Sequence, residues 1–283
     1  MKIAKVYENF KAVEAIFRCP ICKSEMRFVN RASLICANRH CFDLSKYGYI
    51  NFLQKQVKTP YNKELFESRR RVFTAGFYDK IIDTLEEIIS EQTTDKGIRI
   101  LDAGCGEGFF TTQLEKTTVK RHIFAVDIEK EAILLASRQA ASTKFFVGDL
   151  ANIPLQNRVI DVILNIFSPA SYEEFGRVLT GDGIVIKVVP NKNYLIELRE
   201  GAKAQLSNSG YSNEQVVKLF KEKMNVIEGK RLSYTLPVSQ AQLVDFVAMT
   251  PMMFGVDKGK VEIDAITQIT IDVDVLVGSF SKV

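Results

Sequence analysis

The hydrophobic pattern of this 283-residue chain changes its period several times from one end to the other. At the start, Val6, Phe10, Val13 and Phe17 recur at helical spacing, which predicts a helix within residues 1–17. From about residue 79 onward, short apolar runs alternate with amphipathic segments of helix length. The predicted strands of this part cover residues 98–104, 122–128, 143–149, 159–167 and 183–190, and predicted helices cover 79–91 and 129–140. Such alternation predicts crossover connections and a parallel sheet.

The last part of the chain follows a different pattern. Two candidate strands, at residues 230–236 and 267–280, flank a predicted helix at 238–249. The final run is long and alternates apolar with polar residues, as an antiparallel edge strand does. We therefore predict an α/β fold with a mostly parallel, seven-stranded sheet. The predicted organisation is an N-terminal module (1–53), a basic connector (54–80) and the α/β domain (81–283).

Charge is spread unevenly along the chain. Residues 1–75 hold 15 Lys and Arg against 6 Asp and Glu, a net of +9, whereas residues 76–283 hold 23 against 28, a net of −5. A basic half favours a polyanionic partner, and the alternative is an extension that only raises solubility. No apolar run reaches the roughly 18–20 residues of a membrane span, and the N-terminus lacks the apolar stretch of a secretory signal. We expect a cytoplasmic protein with no membrane partner.

Four of the five cysteines fall within residues 19–41. Cys19 and Cys22 form a C-x2-C motif, and Cys36 and His40 follow at spacings typical of tetrahedral structural zinc. Four protein ligands leave no open position for a reactive water, so we expect one structural zinc ion. Cys41 is the alternative to His40 as the fourth ligand.

Cations and aromatic side chains are interleaved around these ligands. The cations are Arg18, Lys23, Arg27, Arg31, Arg39 and Lys46, and the aromatic residues are Phe28, Phe42, Tyr47, Tyr49 and Phe52. This mixture suits single-stranded or looped RNA, which is bound through phosphate contacts and base stacking. The alternative is a small core around the zinc ion, and we expect about half of the aromatic rings to serve it.

A glycine-rich turn, 102–108, follows the apolar strand at 98–104 and opens a helix. Gly104, Gly106 and Gly108 let a ligand approach the backbone closely. Asp102 and Glu107 flank the turn, and two carboxylates would repel the pyrophosphate of a dinucleotide. They suit a ligand that carries an ammonium and a sulfonium group, which indicates S-adenosylmethionine.

Polar residues also follow the next strands of the predicted sheet, where open parallel sheets bind their ligands. Asp127 ends the second strand and can accept hydrogen bonds from ribose hydroxyls, and Asp149 ends the third and can bind an adenine amino group. Asn165 lies at the exit of the fourth. This ordered set resembles the class I (Rossmann-like) methyltransferases over residues 79–283. Cys105 has no histidine close after it, so we do not expect a catalytic nucleophile there.

Several longer motifs resemble one family within that superfamily. The segments RCPICKSEM and LICANRHCFDLSKYGYINFL are similar to the N-terminal zinc module of the RlmA-type 23S ribosomal RNA (guanine-N1)-methyltransferases. The segments ESRRRVFTAGFY, LDAGCGEGFFTTQL, NIFSPASYEEFGRVLTGDG and VVPNKNYLIELRE also resemble that family, so the similarity covers nearly the whole chain.

The resemblance implies methyl transfer from S-adenosylmethionine to N1 of one guanine in a hairpin loop of domain II of 23S rRNA. It also implies a homodimer, and, for one branch of the family, a contribution to resistance against tylosin-like macrolides. By position it places zinc on Cys19, Cys22, Cys36 and His40 and the cofactor against Tyr78, Gly106, Glu107 and Tyr194. Some members carry histidine at the position of Tyr194.

Two other functions fit parts of the sequence. A small-molecule methyltransferase acting on a quinone or lipid precursor would need the same cofactor domain, but the zinc module and the basic half argue against it. An RNA-binding adaptor with an inactive methyltransferase fold is disfavoured by the intact turn and Asp127. No residue stands out as the catalytic base, although Asn165 and Ser168 lie where class I nucleic-acid methyltransferases often hold the acceptor base.

Overall fold

We describe residues 3–55, 57, 61–91, 97–116, 121–139, 142–206 and 211–280 of a computed structural model. Parts of the predicted first helix, of the basic connector and of helix 129–140 lie outside these residues. The N-terminal part begins with helix α1 (Ile3–Lys11), shorter than predicted, and a 3-10 turn at Glu14–Ile16. Four short strands follow: β1 (Met26–Val29), β2 (Ser33–Cys36), β3 (Cys41–Asp43) and β4 (Tyr49–Asn51).

The rest of the chain alternates helices with strands before it ends in two long antiparallel strands. The helices are α2 (Lys63–Thr74), α3 (Asp79–Glu91), α4 (Phe109–Leu114), α5 (Lys130–Ser137), α6 (Tyr172–Val178), α7 (Ile196–Gly201), α8 (Glu214–Lys223) and α9 (Gln240–Met249). The strands are β5 (Ile98–Ala103), β6 (Arg121–Asp127), β7 (Lys144–Val147), β8 (Ile160–Ile166), β9 (Leu179–Pro190), β10 (Asn225–Pro237) and β11 (Gln268–Ser279).

The large sheet has the strand order β10-β11-β9-β8-β5-β6-β7-β4. Strands β4 to β9 in this sheet are parallel, and β10 and β11 are antiparallel to their neighbours. The seven predicted strands are present, and β4 from the N-terminal part adds an eighth beside β7. The expected edge position of the final strand was wrong: β11 pairs on both sides, and β10 forms the edge.

Burial on both faces of the sheet explains why the central strands are almost entirely apolar. Strands β5, β6 and β8 are apolar on both faces because helices cover both sides of a parallel sheet, and Ile100, Phe124 and Ile163 are fully buried. In chain order, β6 and β7 are added on one side of β5, and β8 and β9 are then added on its other side. The order of the strands therefore reverses between β5 and β8. Open parallel sheets bind ligands at the carboxyl ends of the strands beside such a reversal, so we expect the site at the carboxyl ends of β5, β6 and β8.

A small separate sheet, β1-β2-β3, carries Cys36 and Cys41, and its core joins that of the large sheet. Phe17 is completely buried and packs its ring 6.2 Å from Phe124 of β6 and 6.0 Å from Phe146 of β7, measured between ring centroids. Phe52, just after β4, lies 5.8 Å from Phe146. The N-terminal part is therefore packed against one face of the parallel sheet and paired to its edge.

Helix α2 lies in the segment that the sequence pattern suggested only as a connector. The Asn62 side chain caps its first turn by accepting a hydrogen bond from the Leu65 backbone N–H, and Leu65, Phe66, Val72 and Phe73 form its buried side. Among the described residues, no helix combines the length and apolar character needed to cross a membrane.

Candidate active site and metal centre

The glycine-rich turn between β5 and α4 forms the floor of the candidate site. Gly104, Gly106 and Gly108 all have positive φ angles, of 88°, 56° and 77°. At Gly108 a Cβ atom would meet the Ala136 Cβ of α5 at 2.7 Å, so the glycine permits close packing of two helices over the sheet. The backbone geometry alone therefore requires glycine in this turn.

Asp127 is joined directly to this turn. Its carboxylate accepts hydrogen bonds of 2.8 Å from the backbone N–H groups of Gly106 and Glu129. The side chain is partly exposed at the end of β6, so the carboxylate can also face a ligand. The structure therefore brings the first two predicted strand ends together at one point.

Three carboxyl groups meet in this small space, and burial disfavours the charged form of each. Burial raises the pKa of Asp102 to about 7, opposed by a hydrogen bond from the Thr111 hydroxyl. Burial also raises the pKa of Glu107 and of Asp127. A ligand bearing positive charge would restore the ionised carboxylates, and S-adenosylmethionine with its ammonium and sulfonium groups fits this donor set.

A pair of tyrosines borders the turn on the side of β8. Tyr78 is fully buried, and its hydroxyl lies 2.5 Å from that of Tyr194. The ring of Phe167 packs 5.6 Å from Tyr194 and 6.0 Å from Tyr78, between centroids. Burial raises the pKa of Tyr194 to about 12, so both hydroxyls are neutral hydrogen-bonding groups at physiological pH.

Arg69 on α2 is a charged residue of the site that the sequence pattern did not predict. Its Nη1 lies 3.7 Å from the Glu107 Oε2, and the arginine side chain is 22% exposed. The capping Asn62 and the helical spacing of Leu65, Phe66 and Phe73 were the available signals for this helix. Asn165, at the fourth predicted strand end, differs from Asp127 and Asp149 because it is closed off from solvent.

Asn165 is completely buried, and its amide is used by the protein. Its Nδ2 donates to the carbonyls of Ala103 and Pro169 at 3.0 and 2.9 Å, and its Oδ1 accepts from the Lys187 Nζ. A buried amide with these bonds has little left to offer a cofactor, so the structure does not support the predicted contact. Asn165 instead fixes the loop that follows β8, residues 167–170, to β5.

Asp149 lies beyond the end of β7 and is exposed. One carboxylate oxygen caps the following 3-10 turn by accepting from the Ala151 backbone N–H at 2.8 Å. The second carboxylate oxygen of Asp149 takes no part in capping this turn. Its place at the third strand end agrees with the sequence prediction.

The four predicted zinc ligands converge at one point of the N-terminal part. The sulfur atoms of Cys19, Cys22 and Cys36 and a ring nitrogen of His40 all lie within 4.8 Å of one another. The His40 Nδ1 is 3.5 Å from Cys19 and 3.4 Å from Cys36, and the Cys22 and Cys36 sulfurs are 3.6 Å apart. A zinc tetrahedron with ordinary bond lengths has S···N and S···S edges of about 3.5 and 3.8 Å, so this donor set fits zinc.

Local turns create this geometry. Lys23 and Arg39 have φ angles of 66° and 63°, and their N–H groups bond to the carbonyls of Cys19 and Cys36, at 2.9 Å each. The hydrogen bond of the Ser24 hydroxyl lowers the pKa of Cys22 to about 5, which favours the thiolate that zinc binds. Cys41 is exposed, with its sulfur beside Asp43, and lies outside the cluster.

The surface around the zinc centre is basic. Of the six predicted cations Arg18 is half-buried, whereas five are exposed: Lys23, Arg27, Arg31, Arg39 and Lys46. Phe42, Tyr49 and Phe52 are buried and belong to the core, and Tyr47 is 41% exposed. About half of the aromatic residues were expected in the core, and three of the five are there.

Comparisons with known proteins agree with this architecture. Residues 17–60 match the family model described as "RlmA, N-terminal", and residues 94–244 match that of a methyltransferase domain. "Putative 23S rRNA (guanine-N(1)-)-methyltransferase YxjB" of Bacillus subtilis (strain 168) is 39% identical over 276 residues, 93% of this chain and 97% of that protein. The 23S rRNA (guanine(748)-N(1))-methyltransferase of Streptomyces fradiae is 24% identical over 93% of this chain and 96% of its own length. With its zinc ribbon, its methyltransferase domain and a relative of this identity over almost its entire length, the chain belongs to the family of 23S rRNA (guanine-N(1))-methyltransferases.

Proposed function

We propose that this enzyme transfers the methyl group of S-adenosylmethionine to N1 of a guanine in 23S rRNA. The observation that carries the proposal is that one sheet joins a basic zinc module, through β4, to the parallel strands β5 and β6, whose carboxyl ends carry the acidic groups of the proposed cofactor site. A quinone or lipid methyltransferase would have no use for that module. The relatives named for guanine-N1 methylation share both parts of the chain.

The cofactor assignment rests on the groups that surround the turn. The proposed contacts are Tyr78, Asp102, Gly104, Gly106, Glu107, Gly108, Asp127, Asp149 and Tyr194. Asp127 suits the ribose hydroxyls and Asp149 the adenine amino group, because carboxylates at these strand ends accept hydrogen bonds. Asp102 and Glu107 suit the positively charged methionine end. Asn165 is reassigned to support of the loop 167–170.

The chemistry demands orientation more than acid–base help. S-adenosylmethionine supplies an electrophilic methyl group on its sulfonium sulfur. As the N1–carbon bond forms, the bond between sulfur and the methyl carbon breaks and leaves S-adenosylhomocysteine. N1 of neutral guanine carries a proton, which must pass to water or another base during or before the transfer. The two histidines of the chain lie elsewhere, at the zinc centre (His40) and in β6 (His122), so neither serves as a base at the loop.

What the chain provides at the acceptor position is a rigid loop. The Lys187 Nζ donates to the Ser168 carbonyl at 3.1 Å and to the Asn165 side chain, which in turn holds the Pro169 carbonyl. A guanine placed against this loop would meet the methyl group in a fixed geometry. Good alignment of reactants contributes up to about 7–11 kcal/mol to a barrier.

The exposed cations of the zinc module and the ring of Tyr47 would bind the RNA. Lys46 and Arg138 lie 5.0 and 5.1 Å from that ring, so cations and an aromatic surface occur together. Extraction of the guanine from a stack costs least in a loop, which supports the domain II hairpin as target. A homodimer and a cytoplasmic location, the latter following from a ribosomal substrate, complete the proposal.

Primer extension on unmodified 23S rRNA tests this function. A methyl group on N1 blocks base pairing, so reverse transcriptase should stop next to the modified guanine only when enzyme and S-adenosylmethionine are both present. Asp127→Asn should abolish the stop at limiting cofactor, and the exposed Asp83→Asn on α3 should not. Cofactor binding without any stop in the rRNA would refute guanine-N1 methylation and favour a small-molecule acceptor.

A further inference from the structure

Arg69 of α2 lies next to the acidic groups of the proposed cofactor site. The Arg69 Nη1 lies 3.7 Å from the Glu107 carboxylate, and a Cβ atom on Gly106 would come within 3.3 Å of the same nitrogen. The guanidinium therefore lies directly over the glycine-rich turn. Burial raises the pKa of Asp127, Tyr78 and Tyr194, and the positive charge of Arg69 opposes that rise in each of them. The guanidinium is therefore close enough to interact with all three groups.

Helix α2 places Arg69 there by packing at both of its ends. Near its start, Leu65 and Phe66 pack on Ala132 of α5, the helix that follows Asp127. Near its end, the Phe73 ring lies 4.9 Å from that of Phe109, the first residue of α4. Helix α2 thus bridges the two helices that begin at the cofactor edge, and Arg69, midway along it, lies over the turn between them.

The charged groups of S-adenosylmethionine indicate which part of the cofactor Arg69 suits. S-adenosylmethionine carries an ammonium and a sulfonium group, which suit the three carboxyl groups, and also an α-carboxylate, which those groups repel. Lys187 is unsuited to that carboxylate because it is buried and donates to Asn165 and Ser168. Arg69 is partly exposed, and its guanidinium has donors beyond those facing Glu107.

We infer that Arg69 binds the α-carboxylate of S-adenosylmethionine and makes the enzyme selective for a cofactor with an intact amino-acid end. The inference rests on the proposed function and adds to it a specificity residue. A planar guanidinium matches a carboxylate with two donors, which a lysine at this position would not. The Glu107 contact then holds the guanidinium in position before the cofactor arrives.

Calorimetric titration with two ligands tests this role. The ligands are S-adenosylmethionine and decarboxylated S-adenosylmethionine, which keeps both positive charges, the ribose and the adenine. For the wild-type protein we expect the decarboxylated ligand to bind about 10- to 100-fold more weakly, the range for a hydrogen-bonded charge pair. In Arg69→Ala the two dissociation constants should become nearly equal.

The matched control is Arg70→Ala, one residue away on the exposed side of α2. It should keep the wild-type ratio of the two dissociation constants. If Arg69→Ala does not fold, Arg69→Gln is the second variant, because it keeps much of the length and the polarity of the side chain. It should also lose most of the preference for S-adenosylmethionine over the decarboxylated ligand. An unchanged ratio in the Arg69 variants would overturn the inference alone. A wild-type protein that binds neither ligand would overturn the proposed function together with it.

Discussion

Replacement of Gly104 by alanine tests whether the cofactor turn and the loop 167–170 form one packed unit. Gly104 has a φ angle of 88°, a region that L side chains rarely adopt. An alanine Cβ would also come within 2.6 Å of the Ser168 Cβ and closer still to its hydroxyl. The substitution therefore imposes backbone strain and a clash at the same time.

The two costs can be estimated separately. Left-handed backbone costs a non-glycine residue roughly 1–2 kcal/mol. The clash cannot be relieved by rotation of a flexible side chain, so the loop must move. It is held by Lys187 through the Ser168 carbonyl and by Asn165 through the Pro169 carbonyl, and such overpacking costs roughly 1–3 kcal/mol. We expect Gly104→Ala to lower the free energy of unfolding by about 2–5 kcal/mol.

Urea unfolding of four variants separates these contributions. The control Gly181→Ala has no positive φ and no atom within 4 Å of the new Cβ, so it should change stability by less than about 0.5 kcal/mol. Ser168→Gly, alone and combined with Gly104→Ala, removes the side chain that clashes. The double variant should recover about 1–3 kcal/mol and keep the backbone strain. Stability of Gly104→Ala equal to that of the control, or no coupling with Ser168, would refute the packing argument.

Three further predictions concern the metal, the acidic site and the shared core. His40→Ala should lose the single zinc ion, measured by metal analysis of the purified protein, whereas Cys41→Ser should retain it; zinc loss in the Cys41 variant would assign that thiol as a ligand instead. Burial raises the pKa of Asp102 from 3.8 to about 7. Between these two pH values, the folded protein therefore holds a proton that the unfolded chain has already released. The free energy of unfolding should therefore fall, and affinity for the cationic cofactor rise, as pH increases from about 4 to about 7; equal slopes in wild type and Asp102→Asn would contradict this assignment. Phe17→Ala should lower the free energy of unfolding by about 3–5 kcal/mol in thermal or urea unfolding, and a loss below about 1 kcal/mol would mean that the N-terminal part is not packed on the sheet.

Local sequence determined much of what could be predicted. The zinc ligands follow from spacing because Lys23 and Arg39 make tight turns that depend on only a few residues on either side. The turn 104–108 and Asp127 were predictable because parallel strands bring their carboxyl ends to one edge whatever the helices between them do. The family motifs extended these predictions to the whole chain, and the comparisons confirmed the family.

Long-range pairing limited the rest. Strand β4 has three residues and no periodic signal of its own, and its partner lies almost a hundred residues later in β7. The order of β10 and β11 depends on which of them meets β9, which the alternation within each strand does not encode. Asn165 had the sequence context of a ligand-facing residue, but its side chain bonds to Ala103, Pro169 and Lys187, which are distant from one another in the sequence.

The strand pairing connects the N-terminal part of the chain with the sheet edge that carries the acidic groups. Because β4 runs parallel to β7, its carboxyl end lies at the edge where Asp127 and Asp149 lie. The next helix in the chain, α2, carries Arg69 over the glycine-rich turn. The first helix after the zinc module therefore lies against the groups that we propose as the cofactor site. In the proposed function, an RNA bound by the exposed cations of the module would approach the sheet at this edge, because the proposed cofactor site lies there.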